Sequence, residues 1–361
     1  MYKKMHLCFV APVPPPYGGI GNWVLVLKKH IENSNRIEMN VIDTAPISRN
    51  LDGRSLWQRV VVQGVQMLSK RRELNHLISN NRPDVIHITT SGQLAVIRDI
   101  LLLKTAKEKG VPTVYHIRFG RIKEIAQKNT REWKLISKAM LLATEVMAID
   151  NTTYNAIQQN LPTVNVVCVP NPIDISNLPE TATSSSKIIM FLGWVIKTKG
   201  IEELLLAWEK VYKENDDWRL RIVGPAKAEY LDYLKSHYSF EGVLYEGEKS
   251  HNEAMDLLNS SEIFILPSYT EGFPNAVLEA MALSKAIIAT RVGAIPDMLA
   301  ENCGVLINID DPEEIAIALK TLIADDGRRR TIGNNAYRKL CNDYTIETVF
   351  DRYMQEWKKL L

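Results

Sequence analysis

Residues 262–299 read EIFILPSYTEGFPNAVLEAMALSKAIIATRVGAIPDML. The apolar run Glu262–Leu266 is a strand, and Ala286–Thr290 is a second strand of the same kind. Between them lie a Gly/Pro loop and the helical pattern AVLEAMAL, so the unit is strand, loop, helix, strand. Pro274 sits where a first helical residue is expected. The backbone amides of Asn275, Ala276 and Val277 are then free donors at a helix start, a natural seat for a diphosphate. Glu279, about one and a half turns further in, is acceptor-only and suits a diol such as a ribose.

The same alternation extends outward in both directions. Expected strands in the first half are Met5–Ala11, Asp84–Thr89, Pro112–Ile117, Val146–Ile149 and Asn165–Val169. In the second half they are Lys187–Leu192, Trp218–Val223, Val243–Tyr245, Glu262–Leu266 and Ala286–Thr290. Several are continuous apolar runs, as parallel strands covered on both faces require. Helical stretches of about ten or more residues separate most of them, as βαβ crossovers demand. The polar stretch Leu178–Ser186 reads as a linker. The expected organisation is therefore an N-terminal domain over 1–177, a linker over 178–186 and a second domain over 187–344. A C-terminal helix over 345–361 is expected to cross back to the first domain. In such a doubly wound α/β chain, ligands sit outside the carboxyl ends of the strands, and with two domains in the cleft between them.

With 46% hydrophobic and 24% charged residues, the composition is that of an ordinary globular protein. No apolar run reaches the roughly 20 residues of a membrane span. The opening MYKKMHLCFVAPVPPPYGG ends in a Pro/Gly loop, so it reads as a buried strand and not as a signal peptide. Cys8, Cys168, Cys303 and Cys341 form no CxxC pair, which fits a reducing compartment. Charge is divided unevenly. Residues 1–180 hold 23 Lys+Arg against 14 Asp+Glu, while the remainder holds 21 against 28. A basic first half suits an anionic membrane surface or an acidic acceptor, and equally suits solvated lysines on helix faces.

Glu271 and Glu279 form an E-x7-E pair in the setting PSxxEGFPxxxLEAMA. This resembles family 4 of the retaining GT-B glycosyltransferases, the bacterial polysaccharide-type group 1 enzymes. That resemblance implies two Rossmann-like, doubly wound parallel-sheet domains facing across a cleft. It also implies that Glu271 lies by the transferred sugar while Glu279 binds the nucleotide ribose. Gly272, Phe273, Asn275, Ala276 and Val277 would line the donor. Phe191–Leu205, FLGWVIKTKGIEELL, is similar to the family's G-R-x4-K-G, with Lys199 as the diphosphate ligand. Trp194 occupies the Arg position, so either Lys197 supplies the second cation or the helix amides and Lys199 suffice. The loop Pro14–Asn22 is similar to the family's P-x-x-G-G turn, which brings Gly18 and Gly19 to the donor and Tyr17 to the acceptor. His116 matches a strand-terminal His near the donor sugar. Arg118 departs from the usual H-x-H-G and is expected to grip an anionic acceptor or a phosphate. Tyr245–Glu248, with Gly247, sits where the family contacts the base through backbone.

The implied reaction is transfer of a hexosyl-type sugar from a nucleoside-diphosphate sugar, UDP by default, to an acceptor hydroxyl with retention. Glu271, Lys199 and His116 are the expected catalytic residues. No cofactor and no metal is expected, and no D-x-D motif occurs. The sequence also lacks G-x-S-x-G, G-x-x-x-x-G-K-[ST] and H-E-x-x-H. The expected acceptor is a glycan or lipid-linked saccharide of surface polysaccharide synthesis, with no nucleic-acid partner. Cytoplasmic location, with peripheral contact to the inner face of the plasma membrane, goes with that reading. The stretches for such contact are Arg54–Arg72 and the basic helix Arg121–Leu142 with Trp133; packing on their own domain is the other reading. A catalytically silent nucleotide-binding subunit and a sugar-nucleotide epimerase are the competing functions.

Overall fold

A computed structural model describes residues 4–15, 19–34, 36–45, 56–180 and 186–361, without the side chains of 56–63 and 177. The chain forms two compact units, one of residues 1–172 and 346–361, the other Ile173–Thr345. The division thus falls at Pro172, five residues before the expected boundary. The reason is local: the Ile173 amide donates to the Tyr344 carbonyl, and Ile173 bridges Thr345. Part of the expected linker, 181–185, lies outside the described residues.

The first unit holds six parallel strands: β1 (Met5–Ala11), β2 (Ile37–Asp43), β3 (Val85–Thr90), β4 (Thr113–Ile117), β5 (Glu145–Ala148) and β6 (Val166–Cys168). Their order is β2-β1-β3-β4-β5-β6. β1, β3 and β4 are buried along their whole length, which is why they read as nearly continuous apolar runs. Register runs Leu7 with Val85, and Ile86 with Thr113. One face packs against Leu74, Leu102, Leu103, Ile136 and Met140. The other packs against the helix Gly19–Ser34 and the C-terminal helix Ile346–Lys359, through Trp23, Leu27, Val349, Phe350, Tyr353 and Trp357.

The second unit also has six parallel strands: β7 (Ile188–Leu192), β8 (Arg219–Val223), β9 (Val243–Gly247), β10 (Ile263–Leu266), β11 (Ala286–Thr290) and β12 (Val305–Ile307). Their order is β12-β11-β10-β7-β8-β9, with Ile263 beside Ile189. Strand order reverses between β7 and β10, so the loops after those two strands flank the switch point where doubly wound sheets bind ligands.

Two strands, β2 and β12, are absent from the sequence expectation. Both lie at a sheet edge, and both are only partly buried. The basic segment Arg121–Leu142 is not one helix but two, Ile122–Gln127 and Arg131–Met140. Asn129 at φ +44° turns the chain, and the Thr130 side chain caps the second helix by accepting from the Trp133 amide. Trp133 is buried in the first unit's core, so it is no membrane anchor. Of the other basic stretch, 51–55 and the side chains of 56–63, Trp57 included, lie outside the described residues. No helix among the described residues is long and apolar enough to cross a membrane.

Candidate active site

In the second unit the loop after β7 ends in a short 3-10 turn, Lys197–Lys199, closed by Gly200 at φ +71°. A Cβ at Gly200 would stand 2.1 Å from the Pro267 carbonyl oxygen, so only glycine lets this turn lie against the loop that follows β10. The two loops are tied together. The Tyr269 amide donates to the Thr198 carbonyl at 2.9 Å, and the Tyr269 hydroxyl donates to Glu203 Oε1 at 2.7 Å. Lys199 Nζ donates to Glu271 Oε1 at 2.5 Å. The Glu271 side chain is only 11% exposed, so this is a charge-assisted bond in a sheltered place. The Ala294 amide holds the same loop from the β11 side by donating to the Gly272 carbonyl.

The helix Asn275–Ala282 begins one residue later than expected: Pro274 is its N-cap, extended at ψ 117°. Among the described residues no acceptor meets the Asn275 and Ala276 amides, which remain the donors of this helix start. The Val277 amide is not available, because it donates to the Pro274 carbonyl at 3.1 Å in a tight first turn. Phe273 is buried and meets the Tyr344 ring edge-on at 5.6 Å. Glu279 receives His251 Nε2 at 3.1 Å. This carboxylate raises the His251 pKa, first by hydrogen bonding. Lys197 does not turn to this site: two-thirds exposed, it approaches Glu202 at 3.7 Å. Trp194 is 58% exposed. At the end of β9, the Gly247 carbonyl accepts from the Gly224 amide at 2.8 Å.

The first unit carries the remaining expected residues. Gly19 opens the helix after β1; Tyr17 and Gly18 lie outside the described residues. His116, next to last in β4, is fully buried, and its Nδ1 lies 3.1 Å from His87 Nε2. Burial first, then the charge of Arg118, holds the His116 pKa well below the ordinary value, so the ring is neutral. The Arg118 guanidinium lies 4.3 Å over the Trp23 ring and hydrogen-bonds Tyr353. Burial lowers its pKa to about 10, which leaves it charged at neutral pH. His116 Nε2 and the donor Arg118 Nη1 are both buried and meet no hydrogen-bond partner among the described residues. Unpaired buried polar atoms at a strand's carboxyl end call for an explanation, and a ligand's polar groups would supply one.

The family model for group 1 glycosyl transferases matches residues 177–339, nearly all of the second unit. The second unit is a group 1 glycosyl transferase domain. The chain is 26% identical over 234 residues to the capsular polysaccharide biosynthesis glycosyltransferase CapM of Staphylococcus aureus, covering 59% of this chain and 61% of that one. The chain thus spans less than two-thirds of that relative's length. Sucrose-phosphate synthase of Thermosynechococcus elongatus superposes with a TM-score of 0.78 at 14% identity, over 99% of both chains. The Anabaena protein Alr3699/HepE, solved in complex with UDP, gives 0.71 at 18% identity, over 98% of this chain and 100% of that one. At those identities the likeness speaks for the fold, which is the two-unit GT-B architecture.

Within the transferase domain, sequence reasoning missed His251, the partner of Glu279. It opens the helix His251–Asn259, which Ser250 and Glu253 begin with a reciprocal capping box. The SHNE string signals that helix start, but nothing local says that it faces a carboxylate 28 residues away. His87 and Trp357 behind His116 went equally unassigned, for the same reason.

Proposed function

We propose that the chain is a retaining glycosyltransferase that moves a sugar from a nucleoside-diphosphate sugar to an acceptor hydroxyl in surface polysaccharide synthesis. The Lys199–Glu271 contact, at the reversal of strand order between β7 and β10, carries the proposal. An ammonium, two open amides and a diol-binding carboxylate on adjacent loops match the parts of a sugar nucleotide. Lys199 and the Asn275 and Ala276 amides take the diphosphate, whose negative charge grows as the glycosidic bond breaks. Glu279 takes the ribose, whose diol would replace the contact that Glu279 makes with His251. Glu271 stands by the transferred sugar and orients Lys199. No covalent nucleophile is invoked, and the departing phosphate oxygen takes the acceptor's proton. His116 is assigned to the donor sugar and Arg118 to an acidic or phosphate-bearing acceptor. UDP is the proposed nucleotide; the UDP complex of the Anabaena neighbour favours it. No resident metal is part of the proposal.

The test is turnover. Purified protein is incubated with a panel of UDP-sugars and a lipid-linked saccharide extract, and UDP release and labelled product are followed. Acceptor-dependent UDP release, slowed about 100-fold or more in Lys199→Ala, is the expected result. Conversion of the sugar nucleotide without any acceptor would indicate an epimerase instead. Nucleotide binding without turnover on any acceptor would indicate a silent subunit.

A further inference from the structure

Behind His116, a directed chain of hydrogen bonds runs from the C-terminal helix into the sheet. Trp357 Nε1 lies 3.1 Å from His87 Nδ1, and His87 Nε2 lies 3.1 Å from His116 Nδ1. All three side chains are fully buried. An indole nitrogen can only donate. His87 Nδ1 must therefore accept, because a proton on it would meet the indole N–H head-on. A neutral His87 then carries its proton on Nε2 and donates it to His116. His116 Nδ1 is thereby an acceptor, and its one proton stands on Nε2, the buried nitrogen that has no partner among the described residues.

We propose that Trp357, acting through His87, fixes His116 as the Nε2–H tautomer, so that His116 serves as a standing hydrogen-bond donor and not as a base. Trp357 and His87 are positioning residues. The packing around them fits that role. His87 stacks on Phe9 at 5.1 Å, and Tyr353 stacks on Trp357 at 5.4 Å, so neither ring can turn freely. The charged and titratable groups facing the pair are Arg118 from the end of β4 and Tyr353 from the C-terminal helix. Arg118 disfavours a second proton on either histidine, and burial does so more strongly, holding the His87 pKa to about 3. Burial also raises the Tyr353 pKa to about 12, so its hydroxyl stays neutral. With Arg118 Nη1 also unpartnered among the described residues, this end of β4 presents two buried donors. It therefore recognises an acceptor oxygen, such as that of a sugar hydroxyl, a carboxylate or a phosphate. That the ligand is a substrate rests on the proposed function; the tautomer does not.

The experiment is nitrogen NMR of the full chain labelled with 15N-histidine, with His87 and His116 signals assigned by His87→Gln and His116→Gln. The expected result is one protonated Nε2 and one unprotonated Nδ1 in each ring, unchanged from pH 5 to 8 and present without substrate. Trp357→Phe keeps the ring stack and removes the N–H. In it, both histidines are expected to lose the single-tautomer pattern. An independent arm compares His87→Leu with His87→Gln. The Leu variant removes the donor to His116 and is expected to release its tautomer, while the Gln amide restores it. A doubly protonated or Nδ1–H His116 in the wild type would overturn the relay. So would a wild-type His116 pattern in either Trp357→Phe or His87→Leu. Loss of turnover alone would not count for it, since a structural defect does that too.

Discussion

Gly200→Ala tests whether the switch-point loops are as tightly joined as described. At Gly200 φ is +71°, and an added Cβ would stand 2.1 Å from the Pro267 carbonyl oxygen, where ordinary contact begins at 3.4 Å. The left-handed backbone costs a non-glycine residue roughly 1–2 kcal/mol. Moving the Pro267 loop aside by about 1 Å adds about 1–3 kcal/mol of overpacking. Together these come to about 2–5 kcal/mol. In a unit of this size each kcal/mol lowers the melting temperature by about 2–4 °C. Gly200→Ala should therefore melt roughly 5–20 °C below the wild type by calorimetry. Gly247→Ala is the control: φ there is +69°, but nothing lies within 4 Å of an added Cβ. It carries only the conformational cost, about 1–2 kcal/mol, and should fall about half as far. Displacing Pro267 also shifts the loop bearing Glu271, so the stabilisation by added UDP should shrink in Gly200→Ala. A Gly200→Ala protein that melts within a degree of the wild type, with the same UDP response, would refute the described packing.

Two further predictions concern pH. Burial, with help from the Glu356 carboxylate, raises the Glu145 pKa to about 7, and Glu145 Oε1 has no partner among the described residues. The folded protein therefore holds a proton that the unfolded chain releases, and stability falls as pH rises from about 4.5 to 7. Glu145→Gln should remove that fall and gain about 1–3 kcal/mol above pH 7 in denaturant titrations; equal pH slopes would contradict it. His251 has its pKa raised, first by its hydrogen bond to Glu279. The pair thus stabilises at low pH and fades as pH rises through the folded pKa. Glu279→Gln should lower the His251 pKa in an NMR titration, and an unchanged value would separate the two residues.

The buried centre of each sheet was legible in the sequence because strands covered on both faces must be apolar throughout. β2 and β12 were not, because β2 alternates apolar with polar residues (IEMNVID) and β12 is only three residues long. The chemistry was legible where it is local. The loops bearing Lys199 and Glu271 each follow a strand's carboxyl end, the Glu279 helix follows the second loop, and that order is written in consecutive residues. What the sequence could not convey is pairing across the fold: His251 with Glu279, or Trp357 with His87 across 270 residues. The Val277 amide failed as a donor for a smaller reason. Pro274 caps the helix from outside it, and its carbonyl captures that amide in the first turn.

The most direct test of the donor site is calorimetric titration of UDP into the wild type and Glu279→Ala. The proposed site predicts saturable one-to-one binding in the wild type. It also predicts a loss of about 10- to 100-fold in affinity when the acceptor of the ribose diol is removed, the worth of hydrogen bonds to a charged group. Equal UDP affinity in both proteins, or no binding of UDP to the wild type, would contradict it.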